Sequence, residues 1–181
     1  FEEIKNLKTE KKLLLYQALI DMLENNEMQM ALKNTEAATV LNELGWSGKI
    51  YNGKCAGDDC VTDYWYAVEA NLGVNKANYF IRKNIEEGVE LAGESLNRVI
   101  KINYENTAKN NNWPGGDYKN YLRIYLPTEV VLSQISVSDG YDATIKKVYS
   151  GEEIKIREVE GKKEIGFLVM VPVTKKRVVE I

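Results

Sequence analysis

The chain has 181 residues, of which 44% are apolar and 28% are charged, and its formal net charge is −3. This composition is that of a globular protein with enough apolar residues to bury a core of its own. Neither half carries the concentrated basic face that nucleic-acid binding requires, so we expect no nucleic-acid partner. No apolar run reaches the ~18–20 residues of a membrane-spanning helix, so we expect this fragment itself to make no membrane contact.

Histidine is absent from the sequence. Its absence removes the commonest general base, the usual catalytic triad and the commonest zinc ligand. We also find no glycine-rich phosphate loop, no set of metal ligands at a typical spacing and no nucleophile elbow. The sequence therefore predicts no catalytic residue, no metal site and no cofactor.

The first 45 residues predict two helices. Between residues 2 and 25, apolar side chains recur at helical spacing with Lys and Glu between them. A second helix begins near Asn34 or Thr35, because either side chain can accept a hydrogen bond from the first amides of a helix. Gly45 is a suitable residue for its C-terminal end.

After Gly48 the apolar pattern changes to the two-residue period of β-strands. Strands are predicted at Val61–Ala70, Arg98–Tyr104, Lys119–Leu126, Val130–Val137, Thr144–Tyr149, Glu153–Val159, Glu164–Val171 and Lys175–Ile181. Turn-forming residues separate them at regular intervals. The predicted fold class is α+β: an N-terminal helical segment followed by an antiparallel immunoglobulin-like β-sandwich. Residues 1–76 would form the helical segment plus one strand, as the C-terminal part of an upstream domain, and residues 77–181 the sandwich.

The alternation within the strands also predicts which side chains are buried. Five apolar side chains are expected in the core of the sandwich: Ile102, Leu122, Ile124, Phe167 and Val169. Arg123 alternates with two of them and is expected to lie largely outside the core.

Cys55 and Cys60 are the only two cysteines of the chain. Two thiols without histidine cannot complete a structural zinc site, and a spacing of four residues is not that of a C-x-x-C redox motif. An even number of nearby cysteines favours a small disulfide-closed loop in an oxidising compartment. The alternative is a pair of reduced, unrelated surface cysteines.

Acidic residues offer two further alternatives. Asp58, Asp59 and Asp63 form one cluster and residues 139–142 a second, and either could hold calcium or simply be a solvated turn. Glu69, Glu105 and Asp117 could also be imagined as paired carboxylates for glycosidic hydrolysis, although sequence cannot show the required separation.

A loop with one tryptophan provides the candidate ligand surface. Trp113 follows three asparagines and precedes a turn, and the candidate residues are Trp113, Asn112 and Asp117. A flat aromatic face beside hydrogen-bonding groups is suited to binding sugars. The interpretation we favour from sequence is instead that Trp113 folds back over the end of the sandwich as a plug.

Five short motifs, in this order, carry a family resemblance: Leu44-Gly45-Trp46-Ser47-Gly48, Asp63-Tyr64, Asn71-Leu72-Gly73-Val74-Asn75-Lys76, Tyr104-Glu105-Asn106-Thr107 and Tyr121-Leu122-Arg123-Ile124-Tyr125-Leu126-Pro127. Over about residues 19–171 the chain resembles the C-terminal portion of the bacterial domain-of-unknown-function family four-thousand-and-twelve. The resemblance implies an envelope protein with an N-terminal membrane anchor and an extracytoplasmic body. The part upstream of this chain would be distantly similar to the LytR-CpsA-Psr phosphotransferases.

The resemblance carries no catalytic residue over to this chain, because the Arg/Asp pocket of those phosphotransferases would lie upstream. Arg123 and Lys76 match the motifs and are interpreted as structural hydrogen-bond donors. The chain begins without Met and ends within a strand pattern, so we expect a fragment whose anchor lies outside it.

The sequence thus favours a non-catalytic extracytoplasmic module of a bacterial cell-envelope protein that supports or docks an upstream domain. Its partner would be a cell-wall glycopolymer or another envelope protein. The alternative is a fragment of a LytR-CpsA-Psr-like glycopolymer phosphotransferase that lacks its catalytic half. A weaker alternative is a carbohydrate-binding surface module.

If the chain functions outside the cytoplasm, Cys55 and Cys60 should be joined by a disulfide, since oxidising compartments preserve such bonds. Thiol titration of the unreduced, denatured protein should then find no reactive thiol. Two reactive thiols would contradict the prediction.

Overall fold

The structure, a computed structural model, describes residues 5–25, 27–49, 63–93 and 95–181. The chain divides into two compact units, residues 1–54 and residues 55–181. This boundary differs from the predicted boundary at residue 76, because the first strand pairs within the second unit. Cys55, Cys60, Asp58 and Asp59 lie outside the described residues.

The first unit contains the two helices predicted from the sequence, α1 (Thr9–Glu24) and α2 (Thr35–Glu43). The Asn34 side chain accepts a hydrogen bond from the Ala37 amide at 2.9 Å, which satisfies one of the free amides at the start of α2. Gly45 follows the helix with φ of +76°, a conformation that glycine adopts without strain. No helix in the described ranges combines the length and the apolar character needed to cross a membrane.

The second unit contains nine strands and one short 3₁₀ helix in its described part. The strands are β1 (Tyr66–Asn71), β2 (Ile81–Ala92), β3 (Ser95–Asn106), β4 (Tyr118–Leu126), β5 (Ser136–Asp139), β6 (Lys146–Val148), β7 (Lys155–Val159), β8 (Lys162–Val171) and β9 (Lys176–Glu180). The 3₁₀ helix, Ala77–Phe80, lies between β1 and β2.

These strands form two antiparallel sheets. One sheet has the order β1-β4-β8-β7 and the other the order β2-β3-β9-β5-β6. Buried side chains from both sheets belong to a single apolar core, which is the arrangement of a β-sandwich. The coarse prediction, α+β with an antiparallel sandwich, is therefore confirmed.

The predicted register is also confirmed. Ile102, Leu122, Ile124, Phe167 and Val169 are each 0% exposed. Leu122 lies opposite Phe167 and Ile124 opposite Ile165, so alternate residues of β4 and β8 point into the core together. Arg123 lies opposite Gly166, on the other face of that sheet.

Two elements differ from the sequence prediction. Strand β2 was not predicted, because it is an edge strand that is exposed along nearly its whole length and so carries no continuous apolar face. The strand predicted at Val130–Val137 is wrong over most of its length, since only Ser136–Asp139 pairs. The Val130 amide instead donates to the Pro127 carbonyl, which turns the chain there.

The core predicts a large difference between two leucines. Leu122→Ala should lower the free energy of unfolding by about 2–5 kcal/mol, because it leaves a cavity at a fully buried position. Leu91→Ala, at a position that is 77% exposed, should change it by less than about 0.5 kcal/mol. Denaturant titration measures both, and equal losses would contradict the register.

Candidate functional site

Three loops meet at one end of the sandwich and are joined by asparagine side chains. They are the residues after β1 (72–76), the residues after β3 (107–117) and the residues after β8 (172–175), and we call them the loop cluster. Asn106, which is 1% exposed, donates to the Gly116 carbonyl at 2.9 Å and to the Val171 carbonyl at 3.0 Å. Its own side-chain oxygen accepts from the Ala108 amide at 3.0 Å. One buried side chain thus connects the loop after β3 to the end of β8.

Asn75 makes the corresponding connection from the loop after β1. Its amide group donates to the Asp117 carbonyl at 3.1 Å, and its oxygen accepts from the Ala77 amide at 3.1 Å. The Asn71 side chain donates to Asn75 at 3.0 Å. The Lys76 amide donates to the Pro114 carbonyl at 2.9 Å, so the backbone beside Trp113 is held from the neighbouring loop.

Asp117, one of the predicted ligand residues, is part of this network. Its carboxylate accepts a hydrogen bond from the Val173 amide at 2.9 Å, and its own amide donates to the Asn111 side chain at 3.0 Å. The carboxylate therefore joins the loop after β3 to the loop after β8.

Trp113 and Asn112 are both exposed at the surface of the loop cluster. Trp113 is 76% exposed, so the interpretation of this side chain as a plug over the sandwich end is wrong. The buried residues of this loop are the small ones, Ala108, Gly115 and Gly116, and a Cβ atom at Gly115 would lie only 3.2 Å from the Ala108 Cβ. The Asn112 amide donates to the Asn110 side chain at 3.0 Å, which shapes the turn before the tryptophan.

A second polar cluster connects the two sheets. The Tyr104 hydroxyl, on β3, donates to Glu69 on β1 at 2.5 Å, and the other oxygen of that carboxylate lies 3.2 Å from Lys83 Nζ. The Asn120 side chain lies 3.5 Å from the same hydroxyl. Burial, together with the negative charge of Glu69, raises the pKa of Tyr104 above its ordinary value. This tyrosine therefore remains a neutral hydrogen-bond donor to the carboxylate.

The three carboxylates considered as hydrolytic groups have different partners. Glu69 binds Tyr104 and Lys83, Glu105 lies 3.6 Å from Lys176, and Asp117 accepts from a backbone amide. None of these contacts pairs one of the three carboxylates with another.

A row of charged and aromatic side chains crosses the outer face of the first sheet. Glu164 on β8 is 2% exposed, and its neighbours across the row are Tyr125 on β4 and Arg157 on β7. Arg157 donates to both carboxylate oxygens, at 2.6 and 3.2 Å, and the Tyr125 hydroxyl donates at 2.5 Å. Burial alone would raise the pKa of Glu164, but these hydrogen bonds and the nearby positive charges outweigh it, so the pKa is lowered.

An open groove of about 610 Å³ lies where β5 and β6 approach β8. Its walls are apolar residues such as Ile145, Leu168 and Met170. Its charged side chains are already paired: Lys147 with Glu153, and Arg177 with Asp139 at 2.6 Å. The charges of the groove are therefore balanced by internal ion pairs, and the groove does not present a cluster of one charge.

The acidic residues considered for calcium have partners where the structure describes them. Asp63 lies 2.5 Å from Arg98, and Asp139 accepts from the Tyr141 amide and from Arg177. The hydrogen bond from the Tyr141 amide has the largest effect and lowers the pKa of Asp139; burial opposes it, and the Arg177 charge adds to the lowering. Within the described ranges no group of three or more acidic or cysteine side chains could hold a metal ion.

The residues that organise the site were missed at the sequence level. Asn71, Asn75 and Asn106 lie in motifs that were noted for their family resemblance alone. The available signal was the concentration of asparagine at strand ends, where its side chain replaces missing backbone partners.

The contacts of Glu164 with Arg157 and Tyr125 predict how the stability of the fold depends on pH. Because its pKa is lower in the folded state than its ordinary value of 4.5, the carboxylate stabilises the fold fully above about pH 4.5, and this contribution is lost as the pH falls through the folded-state pKa. Glu164→Gln should therefore lower stability at pH 7 and reduce the decline in stability below pH 4.5. The exposed Glu158→Gln is the matched control on β7. Denaturant titrations from pH 7 to pH 3 measure both, and an unchanged pH profile in Glu164→Gln would contradict the assignment.

Comparison with known proteins found no relative of this chain. No family model matches the chain, no curated protein matches it, and no solved structure matches it. The functional conclusion therefore depends on the residues and contacts described above.

Proposed function

We propose that the chain is a non-catalytic extracytoplasmic module of a bacterial cell-envelope protein, which supports or docks an upstream domain. The observation that carries this proposal is the way the chain uses its buried ionisable groups. Glu164 and Tyr104 are fixed by neighbours in the protein rather than directed toward an open site.

The directions of the pKa shifts support a structural use of these groups. A carboxyl group that serves as a general acid near neutral pH needs a pKa raised toward that pH. The pKa of Glu164 moves the other way, because the bonds from Arg157 and Tyr125 outweigh the effect of burial. The pKa of Tyr104 is raised by burial and by Glu69, which moves it further from neutrality. Both shifts favour stable hydrogen bonds over proton transfer.

The placement of the motif residues agrees with this role. Asn71, Asn75 and Asn106 hold the loop cluster, and Tyr104 connects the sheets. Because these motif residues hold the structure together, the resemblance that they carry concerns the fold. The membership of family four-thousand-and-twelve that we propose requires a resemblance of that kind. We further propose that the sandwich is immunoglobulin-like and that the disulfide of Cys55 and Cys60 accompanies an extracytoplasmic location.

The partner in this proposal is a cell-wall glycopolymer or another envelope protein, and the docking surface is the loop cluster. Loops that are fixed by a rigid sandwich are common positions for binding residues. The alternative, a glycopolymer phosphotransferase fragment lacking its catalytic half, would place the chemistry in an upstream part of the protein.

Purified protein with the 181-residue sequence should not turn over polyprenyl-phosphate-linked glycans or peptidoglycan fragments. The physical reason is that the buried acidic and phenolic groups are held by strong internal partners. Product formation over several hours, measured by mass spectrometry, is the direct check.

Glu105→Gln and Asp63→Asn serve as the matched variants in that assay, because both carboxylates contact solvent and could act on a substrate. Multiple turnovers by the unmodified chain that either substitution abolishes would overturn the non-catalytic proposal.

A further inference from the structure

We propose that the loop cluster is a glycan-binding site in which Trp113 stacks on a β-linked pyranose and the Asn112 side chain binds its hydroxyl groups. This inference deepens the proposed function and rests on it, since it names the class of ligand that the docking surface binds. It gives a function to the exposed Trp113 side chain, whose exposure the contacts within the protein do not explain.

The Trp113 side chain is largely exposed to solvent. At 76% exposed, the Trp113 indole leaves a large apolar face in water, which is unfavourable for the isolated module. Val74, in the loop after β1, and Tyr79, in the 3₁₀ helix that follows it, are 97% and 85% exposed. The end of the sandwich therefore presents aromatic and apolar surface that the described part of the chain does not cover.

Hydrogen bonds between neighbouring segments hold the backbone on both sides of that surface. The Pro114 carbonyl next to Trp113 is held by the Lys76 amide, and the Gly116 carbonyl is held by buried Asn106. A Cβ atom at Gly116 would lie 2.6 Å from the Asn75 side chain, so the loops are in close contact there. A loop held in this way loses little conformational entropy when a ligand binds, which increases its affinity.

The side chains that precede Trp113 in the loop are neutral amides. Asn110, Asn111 and Asn112 are all exposed and precede the tryptophan directly. The side-chain oxygens of Asn110 and Asn111 already accept hydrogen bonds within the loop, so Asn112 is the amide assigned to the ligand. An amide side chain both donates and accepts hydrogen bonds, as hydroxyl and acetamido groups do. A flat apolar ring beside several neutral amides matches a pyranose with equatorial substituents, which has an apolar C–H face and a polar rim. An apolar peptide or an anionic polymer would not use the neutral amides in the same way.

The loop itself carries few charges near the indole. Asp117, the acidic residue of the predicted ligand set, directs its carboxylate to the Val173 amide. We therefore assign Trp113 and Asn112 to ligand contact and Asp117 to positioning of the loop.

The test is titration of the ¹⁵N-labelled protein with four soluble probes: the β-1,4-linked tetramers of N-acetylglucosamine, glucose, mannose and xylose. The chain has three tryptophans, so its spectrum should contain three indole N–H signals. The signal that is missing in Trp113→Ala identifies Trp113. We expect this signal to shift with saturable dependence on at least one tetramer.

Three substitutions test which side chains bind the tetramer. Trp113→Ala should weaken binding at least about tenfold, and Asn112→Ala should weaken it less. Tyr16→Ala, which removes an aromatic side chain that is 65% exposed on α1, should leave binding unchanged. An unchanged thermal unfolding midpoint in Trp113→Ala shows that the loss concerns binding and not folding.

The inference is overturned if none of the four tetramers shifts the Trp113 signal, or if Trp113→Ala binds as well as the unmodified chain. Those outcomes leave the non-catalytic proposal standing. Cleavage of a bound tetramer would support the glycan-binding site and contradict the non-catalytic proposal.

Discussion

The structure of the second unit depends on the need to satisfy buried polar groups where its strands end. Strands end at unpaired amides and carbonyls, and a buried group without a partner costs about 1–3 kcal/mol. At the end of the sandwich that carries Trp113, Asn106 supplies partners for the loop after β3 and for the last residue of β8. Asn75, in the loop after β1, supplies partners for the Asp117 carbonyl and for the Ala77 amide. These bonds join the loops of the cluster to one another.

The charged side chains of the sandwich follow the same rule. Glu164 is nearly inaccessible to solvent, yet it is held by a guanidinium and a phenol across neighbouring strands. Glu69 is held by Tyr104 from the opposite sheet, which connects the two layers at their edge. In both cases the charge stabilises the arrangement of strands, and the shifted pKa values of Glu164 and Tyr104 are consequences of that arrangement. Perturbed pKa values can mark an active site, and here their direction supports a structural role.

The sequence was sufficient to predict the elements whose side chains alternate between water and a core. Leu122 and Ile124 are buried as their period of two requires, and Asn34 caps its helix as its position suggested. Edge strand β2 was missed because an exposed strand has little apolar periodicity to detect. The role of Asn106 was also missed, since its partners are far away in the chain, up to 65 residues at Val171. Exposure of Trp113 could not be predicted either, because it depends on whether other residues fill the space below it.

Hydrogen bonds thus hold the loops at one end of the sandwich. A small aromatic surface is therefore presented there in a constant geometry. We therefore expect the loop cluster to be as rigid as the sheets that carry it. Native-state hydrogen exchange measures this directly at the amides of Lys76, Ala108 and Val173, which donate to Pro114, Asn106 and Asp117. We expect protection of these three amides close to that of the central strand β4. Exchange at the rate of an unstructured loop, while β4 remains protected, would contradict it.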